Sequence, residues 1–269
     1  MKTRQFIMTA FVAVLALTFF GCDSHKEATV GFSVSKEKQV IFSDGNLQYN
    51  PLTNEWRFAE KQWDYVGEAN SNIADDYDGW IDLFGWGTGK CPTKVSADPL
   101  AFRVFVDWGT NQIGEDAANT WRTLSKEEWE YLLENRPRAK YLKGAAQVNG
   151  VNGLIILPDD WKTPKGVKFK SRFRREKSDD AYRSHQTLTA EQWSVFEQAG
   201  AIFLPAAVSR LGNVVDSIPT YAHYWTSTVV DRYSSHHFYL YPNEAGVGFC
   251  SRNVGMSVRL VKDVDRNDD

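Results

Sequence analysis

The chain has 269 residues, enough for one large domain or two small ones. At 42% hydrophobic and 24% charged, its composition is that of an ordinary globular protein able to fill a core. A formal charge of −3 lacks the basic footprint of a nucleic-acid binder, so no nucleic-acid partner is expected.

Lys2 and Arg4 precede an apolar run from Phe6 to Phe20. The run is short for a bilayer span and right for a signal-peptide core. It closes on Leu17-Thr18-Phe19-Phe20-Gly21-Cys22, which resembles the bacterial lipobox. The resemblance implies removal of residues 1–21 and lipidation of Cys22, hence a membrane anchor in the cell envelope. Polar residues without periodicity follow, and residues 22–35 are expected to form a tether. Asp23 occupies a lipoprotein sorting position whose meaning differs between bacterial groups. Inner membrane, outer membrane and cell surface all stay open, with the outer membrane the expected destination and surface exposure an option there.

The folded domain is expected over residues 36–264, with 265–269 a disordered tail. Strand patterns begin at Gly31 to Ser35 and at Gln39-Val40-Ile41-Phe42. Asn46 to Asn50 and Glu55 to Ala59 flank a Pro51-containing loop and predict an antiparallel hairpin. Residues 60–120 are rich in Gly, Asp, Asn and Trp and read as loop. The aspartates Asp75, Asp76, Asp78 and Asp82 lack EF-hand spacing, so turn chemistry accounts for them and no metal is expected.

Ser125 with Glu128 makes a capping box for a helix ending near Asn135. Thr189 with Gln192 repeats it for a second helix ending at Gly200. Between the helices, Gln147 to Pro158 reads as two strands around an Asn149-Gly150 turn. The basic stretch from Lys162 to Arg183 is expected to be a solvated loop. Ala201 to Ala207 is a short buried strand. Beyond Cys22, Cys91 and Cys250 are expected as two buried free thiols, with a bridge as the alternative.

Several of these segments resemble known families. Trp121-Arg122-Thr123-Leu124-Ser125-Lys126-Glu127-Glu128-Trp129-Glu130-Tyr131 is similar to a signature of the formylglycine-generating enzyme group. Phe203-Leu204-Pro205-Ala206-Ala207, Tyr224-Trp225-Thr226-Ser227 and Gly255-Met256-Ser257-Val258-Arg259-Leu260-Val261 resemble closing motifs of FISUMP-type domains and of diversity-generating-retroelement variable proteins. The resemblance spans roughly residues 40–262. It implies an α+β, C-type-lectin-like fold with two helices, small twisted antiparallel sheets and long irregular loops.

The same resemblance argues against enzymatic activity. The formylglycine chemistry needs paired thiols near the C-terminus, and only Cys250 is there. Calcium-dependent sugar binding in this fold uses a proline triplet whose first member is a ligand. Tyr241-Pro242-Asn243 has tyrosine in that place, so no cofactor is expected. His223, His236 and His237 lie near Asp231, but adjacent strand residues point to opposite faces. They are expected as exposed histidines.

What remains is recognition by residues 228–254, between two scaffold motifs that include Trp225 and Arg259. Phe238 and Leu240 facing inward would turn His237, Tyr239 and Tyr241 outward. Val247, Phe249 and Ser251 would line an adjacent strand, with Asn243 and Glu244 in the turn. The candidate ligand-binding residues are Asp231, Tyr233, His237, Tyr239, Tyr241, Asn243, Glu244, Phe249, Ser251 and Asn253. The expected partner is a protein or a glycan. A structural subunit of a surface assembly such as fimbriae, and a degenerate formylglycine-type enzyme, are the alternatives.

Overall fold

The structure, a computed structural model, describes residues 31–173, 180–216 and 219–264. The signal sequence, Cys22, most of the tether and the C-terminal tail lie outside the described residues. Strand β1 (Phe32–Ser33) pairs antiparallel with β2 (Gln39–Phe42). Phe32 and Val34 are buried, so the tether boundary expected at residue 36 is corrected to before Gly31. Their apolar side chains are needed inside the core.

The predicted hairpin forms as β3 (Leu47–Asn50) and β4 (Glu55–Phe58). Residues 60–120 contain short 3-10 turns and no named strand. They nevertheless deliver Trp86 and Trp108 to the interior, which is where much of the aromatic surplus goes. Asp82 is also inside, accepting hydrogen bonds from the Val66 amide and from Asn70 Nδ2, each at 2.8 Å. Burial pushes its carboxyl up to about 6, against those bonds, while Asp75, Asp76 and Asp78 stay at the surface.

Strand β5 (Arg122–Thr123) leads into helix α1 (Lys126–Glu130), which continues as a π-helical turn over Tyr131–Asn135. The Ser125–Glu128 capping box is present in both directions. Glu128 is shared: Arg122 grips its two oxygens at 2.8 Å each and also reaches Asp263 near the chain end. Replacing Ser125 by alanine is expected to cost about 1 kcal/mol, the usual loss for an N-cap, read as a lower urea midpoint. An unchanged midpoint would mean that Glu128 alone holds the helix start.

Strands β6 (Lys143–Val148) and β7 (Val151–Ile156) turn through Asn149 and Gly150. Both have positive φ, 47° and 84°, as a two-residue hairpin turn of type I′ requires. Helix α2 (Ala181–His185) was not expected. It lies at the end of the basic stretch expected to be a loop, and the sequence conceals it because only Ala181 and Tyr182 are apolar and buried. The expected count of two helices is therefore corrected to three α-helices among the described residues. Residues 174–179 of the basic stretch lie outside them.

Strand β8 (Thr187–Leu188) and the capped helix α3 (Ala190–Gln198) follow, then β9 (Ile202–Pro205), β10 (Ser209–Leu211) and β11 (Val214–Asp216). The chain closes with β12 (Ala222–Val229), β13 (Ser234–Tyr241), β14 (Glu244–Ser251), β15 (Val254–Gly255) and β16 (Leu260–Val264).

These strands form small sheets, antiparallel except where β8 runs parallel to β6. One sheet has the order β1-β2-β16-β5 and joins the two ends of the domain. The others are β8-β6-β7-β9, β11-β10-β15 and β12-β13-β14, beside the β3-β4 hairpin. The architecture is thus mixed α+β with mostly small antiparallel sheets. Among the described residues no helix is long and apolar enough to cross a membrane.

Large aromatic clusters fill the spaces between sheets. One packs Phe32, Phe42, Trp129, Tyr224 and Phe238; a second gathers Trp56, Phe84, Trp86, Trp108, Trp225 and Met256. A third holds Trp193, Phe196 and Phe203 under α3. Trp225 and Arg259, read as scaffold, are both buried. Arg259 Nη2 donates to Gln62 Oε1 at 2.8 Å, with no carboxylate partner among the described residues, and burial lowers its guanidinium to about 10.

Candidate functional site

The three strands β12, β13 and β14 carry most of the residues singled out for recognition. Their inner face is set by alternation. Ala222, Tyr224, Phe238 and Leu240 are fully buried, and the Trp129 ring of α1 stacks on Phe238 at 4.7 Å and 15°. The Tyr224 hydroxyl donates to the Pro205 carbonyl at 2.9 Å, tying the sheet to β9. Strand β12 breaks register between Trp225 and Val229, and there Thr226 Oγ1 donates to the His236 carbonyl at 2.9 Å. Such a bulge bends the strand and raises its twist.

The opposite face carries a continuous row of rings. Tyr221 meets Tyr241 edge-on at 5.1 Å, and Tyr241 lies 5.0 Å from Tyr239 at 31°. His223 is 6.1 Å from Tyr241 and 5.0 Å from His237. Across the hairpin, Tyr239 pairs with Gly246 and His237 with Gly248. A β-carbon at Gly246 would sit 2.9 Å from the Tyr239 hydroxyl oxygen, and one at Gly248 would sit 3.3 Å from its ring. The two glycines therefore let the Tyr239 ring lie across β14.

Tyr239 and Tyr241 remain half-buried, and Tyr221 is exposed. Burial raises both hydroxyls above the ordinary tyrosine range, helped by the Glu244 carboxylate at the hairpin end. Tyr239 and Tyr241 thus offer neutral, flat, amphipathic rings at physiological pH.

The structure brings only part of the expected set together. His237 points to the tyrosine side as alternation predicts, but the expectation that it is exposed is corrected. It is buried at 6% exposure, with the rings of His223 at 5.0 Å and of Trp225 and Tyr239 at 6.4 Å packed around it. Burial, with His223 and His236 nearby, lowers its imidazole to about 3, and its Nδ1 has no hydrogen-bond partner among the described residues. His223 is lowered in the same direction by burial.

Phe249 and Ser251 are corrected as well. They pair with His236 and Ser234, on the opposite face from Tyr239, where Phe249 stands 65% exposed beyond the edge of the core. Asn253 is buried, donating to the Ala97 carbonyl at 3.2 Å and accepting from Ser251 Oγ at 2.6 Å, which are bonds that hold a loop in place. Asp231 accepts from the Tyr233 and Ser234 amides and shapes the β12–β13 turn. Tyr233 is exposed with the Arg232 guanidinium 4.6 Å from its ring centre. Asn243 is half-buried in the β13–β14 turn, and Glu244 is exposed as the first residue of β14.

Tyr221 and His223 complete the row although neither was among the expected site residues. The signal available was their alternate spacing, which puts Tyr221 and His223 on the face opposite Ala222 and Tyr224.

Both remaining cysteines are free. Cys91 is exposed rather than buried, and the Cys250 thiol is pushed up to about 12 by burial, the reverse of an activated nucleophile. No protein-family model, no curated protein and no solved structure matches the chain.

Proposed function

We propose that this is a lipid-anchored protein of the cell envelope, with a C-type-lectin-like domain that binds a protein or glycan through the outer face of its β12-β13-β14 sheet and performs no catalysis. The observation that carries the reading is the row Tyr221, Tyr241, Tyr239 and His223 on one face of a three-stranded sheet, with Tyr239 laid over Gly246 and Gly248. Tyrosine presents a large contact area at small entropic cost, because only two side-chain torsions are fixed on binding. The backing of Tyr239 by strand backbone fixes its ring before any ligand arrives, which lowers the cost of association. The anchor rests on the lipobox-like segment, and the fold assignment on the ordered motifs around Trp129, Tyr224 and Arg259. The high thiol pKa of Cys250 speaks against the formylglycine-type alternative.

The test is binding of the full-length protein to a glycan array and to purified envelope and host-surface proteins, repeated with Tyr239→Ala and Tyr241→Ala. The expected result is a ligand whose affinity falls by about tenfold or more in each variant, as for buried aromatic anchors at interfaces. If every ligand found were bound equally by the variants, recognition would lie elsewhere on the molecule. Absence of any ligand across both panels would favour the structural-subunit alternative.

A further inference from the structure

A second site lies on residues that the tyrosine row does not use. The β3–β4 hairpin, with Trp80 and Gln112 from the long loops, encloses an open cleft of about 500 Å³. Arg57 lines it, and its guanidinium carbon lies 3.8 Å from the centre of the Trp80 ring. Arg57 Nε donates to Gln48 Oε1 at 2.9 Å. That bond and the stacking fix the plane of the guanidinium. Its two terminal nitrogens make no hydrogen bond, and it has no carboxylate partner, among the described residues, although the Glu55 carboxylate lines the same cleft. A stacked guanidinium keeps its in-plane donors free, and those donors match a carboxylate in bidentate fashion.

The neighbouring polar groups are also held at one end and open at the other. Asn54 Oδ1 accepts the Tyr49 hydroxyl at 2.8 Å, which leaves its Nδ2 as a donor. Asn54 sits in the left-handed region, φ 56°, at the hairpin turn. Gln112 Nε2 donates to the Gly114 carbonyl at 3.1 Å, which leaves its Oε1 as an acceptor. Glu55 turns toward the Thr53 hydroxyl at 3.0 Å. The cleft thus combines an unpaired, oriented cation with one oriented amide donor, one oriented amide acceptor and an indole.

We propose that this cleft binds an acidic saccharide, with Arg57 clasping the carboxylate of a uronate or sialate residue and Asn54 and Gln112 taking ring hydroxyls. Mixed donors and acceptors beside an aromatic wall suit the hydroxyl pattern of a sugar. The volume suits one or two sugar rings rather than an extended acidic peptide. Trp80 orients Arg57, while Arg57 supplies the selectivity for a negative charge.

The experiment titrates the full-length protein with glucuronate- and sialate-terminated oligosaccharides, their neutral counterparts and a glutamate hexapeptide. Wild type is compared with Arg57→Lys, Trp80→Leu, Gln112→Ala and Tyr239→Ala. Gln112 is exposed, so its variant tests the cleft without endangering the fold. Binding of an acidic sugar is expected, weakened about tenfold or more for the neutral counterpart and in Arg57→Lys, the loss of a charged hydrogen-bonded clasp. Gln112→Ala should weaken it less, and Tyr239→Ala should leave it unchanged. Equal affinity for the neutral sugar, equal affinity for the peptide, indifference to Arg57→Lys, or no binding of either acidic sugar would each overturn the assignment. Because Tyr239→Ala is carried in parallel, failure here leaves the reading of the tyrosine row untouched.

Discussion

Replacing His237 by phenylalanine is expected to remove about 3 kcal/mol of acid destabilisation between pH 7 and pH 4. In the folded protein the imidazole is lowered to about 3 by burial first and by its histidine neighbours second. In the unfolded chain it returns to an ordinary value of about 6.5. A histidine depressed in this way contributes stability above the unfolded pKa and loses it as pH falls from about 6.5 toward 3, because only the unfolded state takes up the proton. Asp82 has the opposite sign. Its raised carboxyl contributes stability below the ordinary carboxylate range and loses it as pH rises through about 6. The two trends oppose each other in wild type, so its profile alone is ambiguous. Asp82 is unchanged in the variant, and the difference between the two profiles isolates His237. The ring leaves an unpartnered Nδ1 and packs against His223 at 5.0 Å. Phenylalanine keeps the packing and removes an unsatisfied polar atom, so neutral-pH stability should hold or rise. Urea midpoints at pH 7, 5.5 and 4 make the measurement. Parallel profiles for the two proteins would show that His237 is not buried as described.

Residue 237 also shows where reading from the sequence stops. Alternation along Phe238 and Leu240 gave the correct faces of β13, because a strand has a fixed two-residue period. Alternation cannot say whether the outer face meets water. That depends on a distant loop: Trp225 Nε1 donates to the Phe84 carbonyl at 2.7 Å, and Trp86 Nε1 to the Thr226 carbonyl at 2.9 Å. Those contacts join segments about 140 residues apart and leave no local pattern.

Strand β14 was misassigned for a different reason. The connection from Tyr241 to Glu244 has two residues, Pro242 and Asn243, and it pairs Tyr239 with Gly246. One further residue in that turn would have placed Val247 opposite Tyr239 and moved every side chain of β14 to the other face. The sequence pattern places Asn243 and Glu244 together in the turn, whereas Glu244 already pairs with Tyr241, and that one-residue difference decides the faces of Phe249 and Ser251. Both capping boxes, by contrast, were legible, because their chemistry is complete within four residues.

The helix that those capping residues start carries the largest expected single-site effect. Trp129→Ala is expected to cost about 3–5 kcal/mol, the range for deleting a buried large aromatic side chain. Trp129 is 1% exposed, stacks on Phe238 and meets Phe42 at 5.8 Å. Phe42 lies in the sheet that joins the chain ends, and Phe238 lies in the sheet that displays the tyrosines. One ring thus couples α1 to both, and deleting it opens a cavity where three elements meet. Domains have about 5–15 kcal/mol in total, so this loss removes a third or more of the margin for many of them. The urea midpoint should fall sharply, and amide exchange in β13 should accelerate well before global unfolding. Leu52→Ala supplies the control, because Leu52 is 57% exposed and its change should stay within about 0.5 kcal/mol. If Trp129→Ala cost no more than the Leu52 control, α1 would not be the support of the display sheet. The rigidity assigned to Tyr239 and Tyr241 would then have to come from the glycine-backed hairpin alone.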